Sequence, residues 1–484
     1  MNIFLHPRLE SAPQGSMVVI PVWEGGELAV EAHPFKGALQ GALESGDFKA
    51  TCGETFLCHV EGKRIVLLGL GKRGDVSVES VRRSFAAPVS LAITKKSKTA
   101  LFFLPALPET FFRAICEGVC LANYSFAKWK SKSAKESGPS LLEEVGFIGV
   151  GPEHLEQVRE VEAIVRSVHW VRDLVNGNAD DKLSALLGEL ESAFQASGVS
   201  IQIFDKKKLV EMGMGLILAV SRGSVVDPCL IQASYEGNPG SQEKVVLIGK
   251  GITYDTGGLS IKPTDNMLTM KCDMAGAAAV LGAVRAAAAL KLKVNVVALA
   301  PMAENSIDAK SYKLGDVYRS YSGRTVEITN TDAEGRLILA DALGYAAKTL
   351  QPSCMIDVAT LTGAAVVALG DDVAALFSDD QKICDQLLAS SITTGEMLWR
   401  LPLVADYKDA YKSEIADTVN SGGREGSAIK AALFLQPFAA SVPWAHIDLA
   451  GPAYLNKAKH YNTSRATGYG VRLLLDFLKT RVSS

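Results

Sequence analysis

The sequence predicts an α/β fold in two domains, the larger, C-terminal one built on a mostly parallel sheet flanked by helices. Three observations predict it. Short apolar runs rich in β-branched residues alternate with longer segments of helical periodicity. The 484 residues are 48% hydrophobic and 21% charged, ample for a sizeable core and ordinary for a globular chain. The most distinctive charged residues follow apolar runs, and ligands of parallel sheets bind beyond the carboxyl ends of the strands.

The elements follow in order. Ser16–Val22, Arg64–Leu70 and Thr99–Leu104 are expected as buried strands, and Phe111–Tyr124 as a helix. They make residues 1–150 a smaller α/β domain in which no catalytic motif stands out. Lys128–Pro139, rich in Lys and Ser, is expected as an exposed loop. From Pro152 to Asn176, Leu155, Val158, Val161, Ile164, Val165, Val168 and Val171 recur at helical spacing, so 151–176 is taken as a connecting helix. Residues 177–484 form the second domain. Val245–Ile248 is expected as a strand leading into Gly249-Lys250-Gly251, and Ala275–Leu290 as a helix of small residues. Val294–Ala300, Met355–Ala359 and Trp444–Leu449 are expected strands; Glu334–Leu350 and Gly468–Lys479 are expected helices.

Composition excludes several classes. With 50 Lys+Arg against 53 Asp+Glu, the net charge of −3 argues against a nucleic-acid protein held by bulk charge. Met1–Arg8 has no basic stretch followed by an apolar one, so no secretory leader is expected. Ala275–Leu290 is too short for a membrane span and contains Arg285, so a buried helix is expected. Eight cysteines in so long a chain make no disulfide framework, and a cytoplasmic location is the simplest reading. Cys116 and Cys120 lack a second pair at zinc spacing and are expected as buried helix cysteines. The seven histidines lie outside the acidic motifs, and no G-x-S-x-G elbow appears.

The chemistry concentrates in two segments. Asn330-Thr331-Asp332-Ala333-Glu334-Gly335-Arg336-Leu337 places an Asp, a Glu and an Arg within five positions. Upstream, a Gly-rich segment carries Lys250, Asp255, Lys262 and Asp273. For any one acid alone, a solvated or helix-capping role is the better reading. Four acids that each follow a buried strand or open a small-residue helix are harder to dismiss. Two divalent ions about 3.5–4 Å apart need shared carboxylates, as in two-metal hydrolases. Lys262 and Arg336 suit a site where negative charge develops: an ammonium stabilises an oxyanion and a guanidinium grips a planar anion. Ordinary ion pairing with the acids is the plain alternative. Gly249–Gly258 lacks the G-x-x-x-x-G-K-[ST] order, so its glycines are read as letting the backbone approach metals and substrate.

Asn330–Leu337 resembles the signature octapeptide of the leucyl (cytosol) aminopeptidase family. Val245–Asp273 is similar as well, with its Gly-Lys-Gly-Ile-Thr-Tyr-Asp-Thr-Gly-Gly run and Met270-Lys271-Cys272-Asp273-Met274. So are Arg172–Asn176, Gly213–Gly215, Ala359–Ala364 and Trp444–Gly451, in an order that covers residues 170 to 475. Gly177–Asp180 and Ser306–Ala309 depart from the family pattern, outside the ligand set.

The resemblance implies a two-metal exopeptidase acting on peptides with a free N-terminus. It implies that Asp255 and Glu334 bridge both ions, that Lys250 and Asp273 complete the tighter site, and that Asp332 completes the more exchangeable one. It implies that Lys262 polarises the substrate carbonyl, and that Arg336 holds a bicarbonate that is general base toward the attacking water. Met270, Thr360, Leu361, Thr362, Gly363 and Ala450 are implied around the substrate's first side chain and backbone. The implied metals are manganese, zinc or magnesium, the implied assembly is a homohexamer, and the implied N-terminal fold is like that of the macro domain. The implied role is intracellular peptide turnover.

Three other readings compete. A two-metal phosphoesterase calls for additional His ligands, which the motifs lack. DNA binding, a property of some relatives, draws on no more than Lys128, Lys130, Lys132 and Lys135, which a solvated loop explains better. A catalytically dead relative is at odds with the presence of every ligand and both cations.

Overall fold

The computed structural model describes the chain except residues 6–12, 30–40, 42–45, 106, 107, 109, 196, 483 and 484. It divides into two compact units, Met1–Arg166 with Asn456–Ser464, and Ser167–Leu455 with Arg465–Ser484.

The first unit holds a six-stranded sheet in the order β1-β6-β5-β2-β4-β3. Its strands are β1 (Asn2–Leu5), β2 (Met17–Val22), β3 (Thr55–Val60), β4 (Lys63–Gly69), β5 (Thr99–Phe103) and β6 (Glu144–Ile148). All neighbours are parallel except β3 and β4. Every residue of β2 and β5 is buried, as continuous apolar runs in parallel sheets require. Val18, Ile20, Val22, Ile65 and Leu67 form one core, while Phe102 and Phe147 pack at a tilt of 38° with centroids 5.9 Å apart, and Phe112 meets Phe147 edge-on at 5.6 Å. Helix α1 (Val78–Thr94), closed at its start by a Ser77/Ser80 capping box, packs on α2 (Thr110–Ala122). Cys116 and Cys120 are buried in α2, and burial pushes both thiols up. The expected loop Lys128–Pro139 includes a short helix, Lys132–Ser137. Helix α3 (Leu155–Asn176) matches the seven-residue apolar periodicity and is preceded by a tight 3₁₀ turn at Pro152–His154.

The second unit holds nine strands in a sheet of order β16-β15-β18-β14-β9-β11-β8-β7, with β10 alongside β11. They are β7 (Ser200–Phe204), β8 (Cys229–Glu236), β9 (Val245–Gly249), β10 (Gly251–Asp255), β11 (Asn295–Asn305), β14 (Cys354–Ala359), β15 (Val373–Phe377), β16 (Met397–Arg400) and β18 (Trp444–Asp448). Strands β12 (Val317–Arg319), β13 (Thr325–Glu327) and β17 (Thr418–Val419) make a separate small sheet. The centre of the large sheet, β18-β14-β9-β11, is parallel, and the antiparallel pairings lie toward its edges.

From Ser167 on, α3 belongs to this unit; α4 (Ala179–Gln195) follows it, and α5 (Ala275–Ala289) packs against β9, β11 and β14. Thr264–Ala289 is long and apolar enough to cross a membrane by length and composition, but within α5 only Arg285 and Ala289 escape burial. The small residues have a structural reason. A Cβ on Gly276 would lie 2.1 Å from the Val358 carbonyl oxygen, so only glycine lets α5 meet β14 backbone to backbone. Helix α6 (Gly335–Tyr345) packs on β9 and β11 and contributes Leu337, Ile338, Leu339, Ala340, Ala342 and Leu343 to the main core. The expected helix Glu334–Leu350 widens at Ala346–Leu350 into a π turn and stops at Gln351, which is left-handed with φ 48°. Helix α7 (Gly363–Leu369) follows β14, and α8 (Val471–Lys479) is the last helix among the described residues.

Candidate metal centre

The acidic motifs converge at the carboxyl ends of the parallel strands, where such sheets bind ligands. Lys250 is the first residue after β9. Its N–H donates to Val358 O at 3.0 Å and its carbonyl accepts from Ala277 N at 2.8 Å, so β14 and α5 hold its backbone from two sides. Asp255 ends β10. Asp273 leaves a 3₁₀ turn at Met270–Cys272 and lies two residues before α5. Glu334 stands at the start of α6, with Asp332 two residues earlier.

Three carboxylates, of Asp255, Asp273 and Glu334, place oxygens within 4.8 Å of one another, and all three residues are buried. Two lysines lie among the acids. Lys250 Nζ is 2.8 Å from Asp273 Oδ2 and 2.8 Å from Glu334 Oε1, and it donates to Thr360 O at 3.0 Å. Lys262 Nζ is 2.9 Å from Asp255 Oδ2 and 2.6 Å from Asp332 Oδ1. Thr360 Oγ1 donates to Asp273 Oδ1 at 2.6 Å, and Asn305 Nδ2 to Asp255 Oδ1 at 2.8 Å. Glu334 Oε2 is buried with no hydrogen-bond partner among the described residues.

Four carboxylates against two ammonium groups leave this cluster short of positive charge, and the acid–base properties reflect it. Burial pushes the Asp273 carboxyl up to about 8 against the pull of Lys250, with Asp255 and Glu334 adding to the rise. Burial and the neighbouring Glu334 push Asp332 to about 6 despite Lys262. Asp255 is raised by burial and by Glu334. Burial acts to raise Glu334 too, but Lys250 and Lys262 outweigh it and hold that carboxyl low. Burial works against the charge on Lys250 and Lys262, yet the acids around each keep both firmly protonated. A buried carboxylate cluster with an unpartnered oxygen is suited to hard divalent cations, which favour oxygen ligands.

The family comparison agrees with the geometry. The model of the cytosol aminopeptidase family's catalytic domain matches residues 169–475, and that of its N-terminal domain matches residues 19–133. The chain belongs to the cytosol aminopeptidase family. A probable cytosol aminopeptidase of Protochlamydia amoebophila (strain UWE25) is 45% identical over 99% of both chains. One from Chlamydia caviae is 42% identical over 97% of both. Among solved structures, the bottromycin maturation enzyme BotP in complex with Mn superposes with a TM-score of 0.86 at 33% identity, covering 97% of this chain and all of BotP. This cytosol aminopeptidase family member is therefore a hydrolase of peptide bonds, acting at N-termini in a metal-dependent way.

The remaining residues singled out in the sequence do not gather in one place. Thr360 joins the acidic cluster, as described. Leu361 N and Ala450 N both donate to Asp448 Oδ1, at 3.1 and 3.2 Å, and Thr362 Oγ1 donates to Asp448 Oδ2 at 2.6 Å. Gly363 opens α7 and is exposed, and Met270 is half-buried at the start of its 3₁₀ turn. Arg336 is buried apart from the lysines' ion pairs: it donates to Tyr411 Oη at 3.1 Å and Asn420 O at 3.0 Å, and its Nε has no hydrogen-bond partner among the described residues.

The sequence reading missed several organising side chains of this aminopeptidase. Asn305 ends β11 and ties Asp255 to Thr331 O. Asn420 brackets the signature loop, accepting from Thr329 N at 2.8 Å and donating to Asn330 O at 2.6 Å. Tyr312 Oη donates to Thr331 O at 2.6 Å. Asp448 gathers the two loops named above. For Asn305 and Asp448 the available signal was weak: a lone polar residue at the end of a buried strand.

Proposed function

We propose that the chain is a two-metal aminopeptidase in which Lys250, Asp255, Asp273, Asp332 and Glu334 hold the ions. Asp255 and Glu334 would serve both ions, Asp273 and Lys250 the tighter one, with Lys250 giving up its proton to ligate as a neutral amine once the cation's charge replaces it among the acids, and Asp332 the more exchangeable one. The observation that carries this reading is the convergence of the Asp255, Asp273 and Glu334 oxygens within 4.8 Å, two lysine ammonium groups among the acids. When bound, divalent ions supply Lewis acidity, an activated water near neutral pH and an anchor for the substrate's free α-amine. BotP is described in complex with Mn, which makes Mn²⁺ the first ion to test, with Zn²⁺ and Mg²⁺ beside it.

The chain's own residues account for the rest of the reading. Lys262 is less buried than Lys250, with its side chain 16% exposed, and it lies between Asp255 and Asp332. Its fixed ammonium suits the oxygen of a substrate carbonyl as negative charge develops there. Arg336 stays protonated at any relevant pH and is a poor base. Its buried guanidinium, with Nε unpartnered, fits a small planar anion, and bicarbonate there would supply the general base. Leu361, Thr362, Ala450, Met270, Thr360 and Gly363 are the residues assigned to the substrate's first side chain and backbone. A homohexamer, a cytoplasmic location and a role in intracellular peptide turnover belong to the same proposal and rest on family likeness. The three-carboxylate cluster lacks histidine, which favours this reading over a His-rich phosphoesterase.

The test is a panel of aminoacyl-amide substrates assayed with metal-free enzyme reloaded with Mn²⁺, Zn²⁺ or Mg²⁺. Chelation is expected to abolish cleavage, metal to restore it, and acetylation of the substrate amine to block it. Full turnover from enzyme shown to be metal-free would overturn the proposal.

A further inference from the structure

The sheet ladder between β14 and β18 runs out just below the residues assigned to the substrate's first side chain. Ala359 is in register with Asp448, and the last backbone link is Leu449 N to Ala359 O at 2.8 Å. Beyond it the two chains enter separate loops, Thr360–Thr362 and Leu449–Gly451. One buried carboxylate connects them. Asp448, 1% exposed, takes Leu361 N and Ala450 N on Oδ1 and the Thr362 hydroxyl on Oδ2. Three donors converge on the two oxygens of one buried side chain, so this junction holds two strand ends that the ladder no longer pairs. The Thr362 hydroxyl is shared further: it accepts from Ala365 N at 3.1 Å and so caps α7. The carboxylate thereby sets the separation of Leu361 from Ala450 and the entry angle of the helix that follows.

We propose that Asp448 is a positioning residue for specificity, fixing the width of the pocket for the substrate's first side chain by tying the loop after β14 to the loop after β18. The inference rests on the assignment of Leu361, Thr362 and Ala450 to that pocket. Asp448 touches neither the substrate nor the metal ligands in this scheme; it acts through the walls.

Asp448→Asn keeps the shape but cannot present acceptor oxygens to all three donors. Fully metal-loaded enzyme is assayed on glycyl-, alanyl-, leucyl- and phenylalanyl-amides, with bound metal counted in parallel. The expected result is a change of at least about tenfold in the leucyl-to-alanyl ratio of kcat/KM, in line with the 10–200-fold range over which pocket contacts discriminate one aliphatic group. KM is expected to rise more than kcat falls, with metal per subunit unchanged. An equal loss on all substrates would show a merely structural role and overturn the proposal. Should Asp448→Asn fail to fold, Thr362→Val reads the same junction by deleting one donor. Ala450→Met separates the two layers of the argument. If it shifts the ratio while Asp448→Asn and Thr362→Val do not, Asp448 does not set the pocket. If Ala450→Met leaves the ratio alone, the pocket assignment itself fails and the inference with it.

Discussion

Gly335 lies so close to Lys250 that a Cβ there would sit 2.5 Å from the lysine Cε and 2.7 Å from its Nζ. The residue after Glu334 must therefore be side-chain-free for Lys250 to reach Glu334 Oε1. Gly335 opens α6 with ordinary helical geometry, so alanine carries no backbone strain and gains about 1 kcal/mol of helix propensity. The atoms in the way are the tip of a flexible side chain, so the lysine is expected to yield. Gly335→Ala is expected to unfold at or slightly above the wild-type temperature while binding metal at least about tenfold more weakly, a loss of about 1.4 kcal/mol. Thermal unfolding paired with metal titration checks this. A variant that binds metal normally would show that Lys250 need not occupy this position.

The lysines and the acids separate by substitution. Glu334→Ala removes a carboxylate assigned to both ions, and it is expected to lose most of its metal together with its activity. Lys262→Ala is expected to keep its metal and its fold while losing turnover. Deleting one oxyanion donor costs on the order of 10²–10³ in rate. Elemental analysis of the purified variants beside steady-state kinetics tests both. Loss of metal from Lys262→Ala would erase the distinction between ligand and catalyst drawn here.

Much of this site was legible in the sequence because charge is conspicuous among apolar runs. Lys250 and Asp255 stand at the ends of the apolar strands β9 and β10, Asp273 stands before the small-residue helix α5, and Asp332 and Glu334 lead into the buried helix α6. Asn305, Asn420 and Asp448 were not legible, because their work is done across strands that are distant in sequence. Asp448 reaches Leu361 over 87 positions and Asn420 reaches Asn330 over 90. The strand β10 was missed for a different reason: its glycine-rich start looks like a loop. The strand β11 runs five residues past its expected end at Ala300, through Pro301. On one side, β9 ends its pairing at Leu299 and β10 begins at Met302, so Pro301 falls in a gap there, while on the other side it stays in register with Leu230 of β8.

Stability should carry a pH signature from Asp341. This fully buried carboxylate accepts from Leu216 N at 2.9 Å, Ile217 N at 3.0 Å and Tyr321 N at 2.7 Å. Burial nevertheless pushes it up to about 7, against those three donors. Its ordinary value is about 3.9. A carboxyl raised in the folded state contributes stability that is fully present below the ordinary value and lost as pH rises through the folded one. Between about pH 4 and pH 7 the wild type should therefore lose stability relative to Asp341→Asn, by an amount on the order of a few kcal/mol at most, since one unit is worth 1.36 kcal/mol. Urea unfolding of both proteins at steps from pH 5 to pH 8 measures the gap. A gap that stays flat would mean that the three N–H donors keep Asp341 ionised throughout.

The role of Arg336 is open to a direct solution test. The guanidinium is buried two residues after Glu334, held by Tyr411 Oη and Asn420 O, with Nε unpartnered. It sits in the first turn of α6, where main-chain N–H groups add to the attraction for an anion. If a bound bicarbonate is the general base, stripping carbonate from the buffer should slow the wild type and adding it back should restore the rate. Arg336→Ala should be slow in both buffers. Arg336→Lys keeps the charge but loses the planar fork, so it should respond to bicarbonate only at higher concentration. The plain alternative, in which Arg336 serves the fold through Tyr411 and Asn420, predicts that the wild type ignores bicarbonate and that Arg336→Ala loses stability in proportion to activity. A flat response from enzyme shown to be carbonate-free would decide for that alternative.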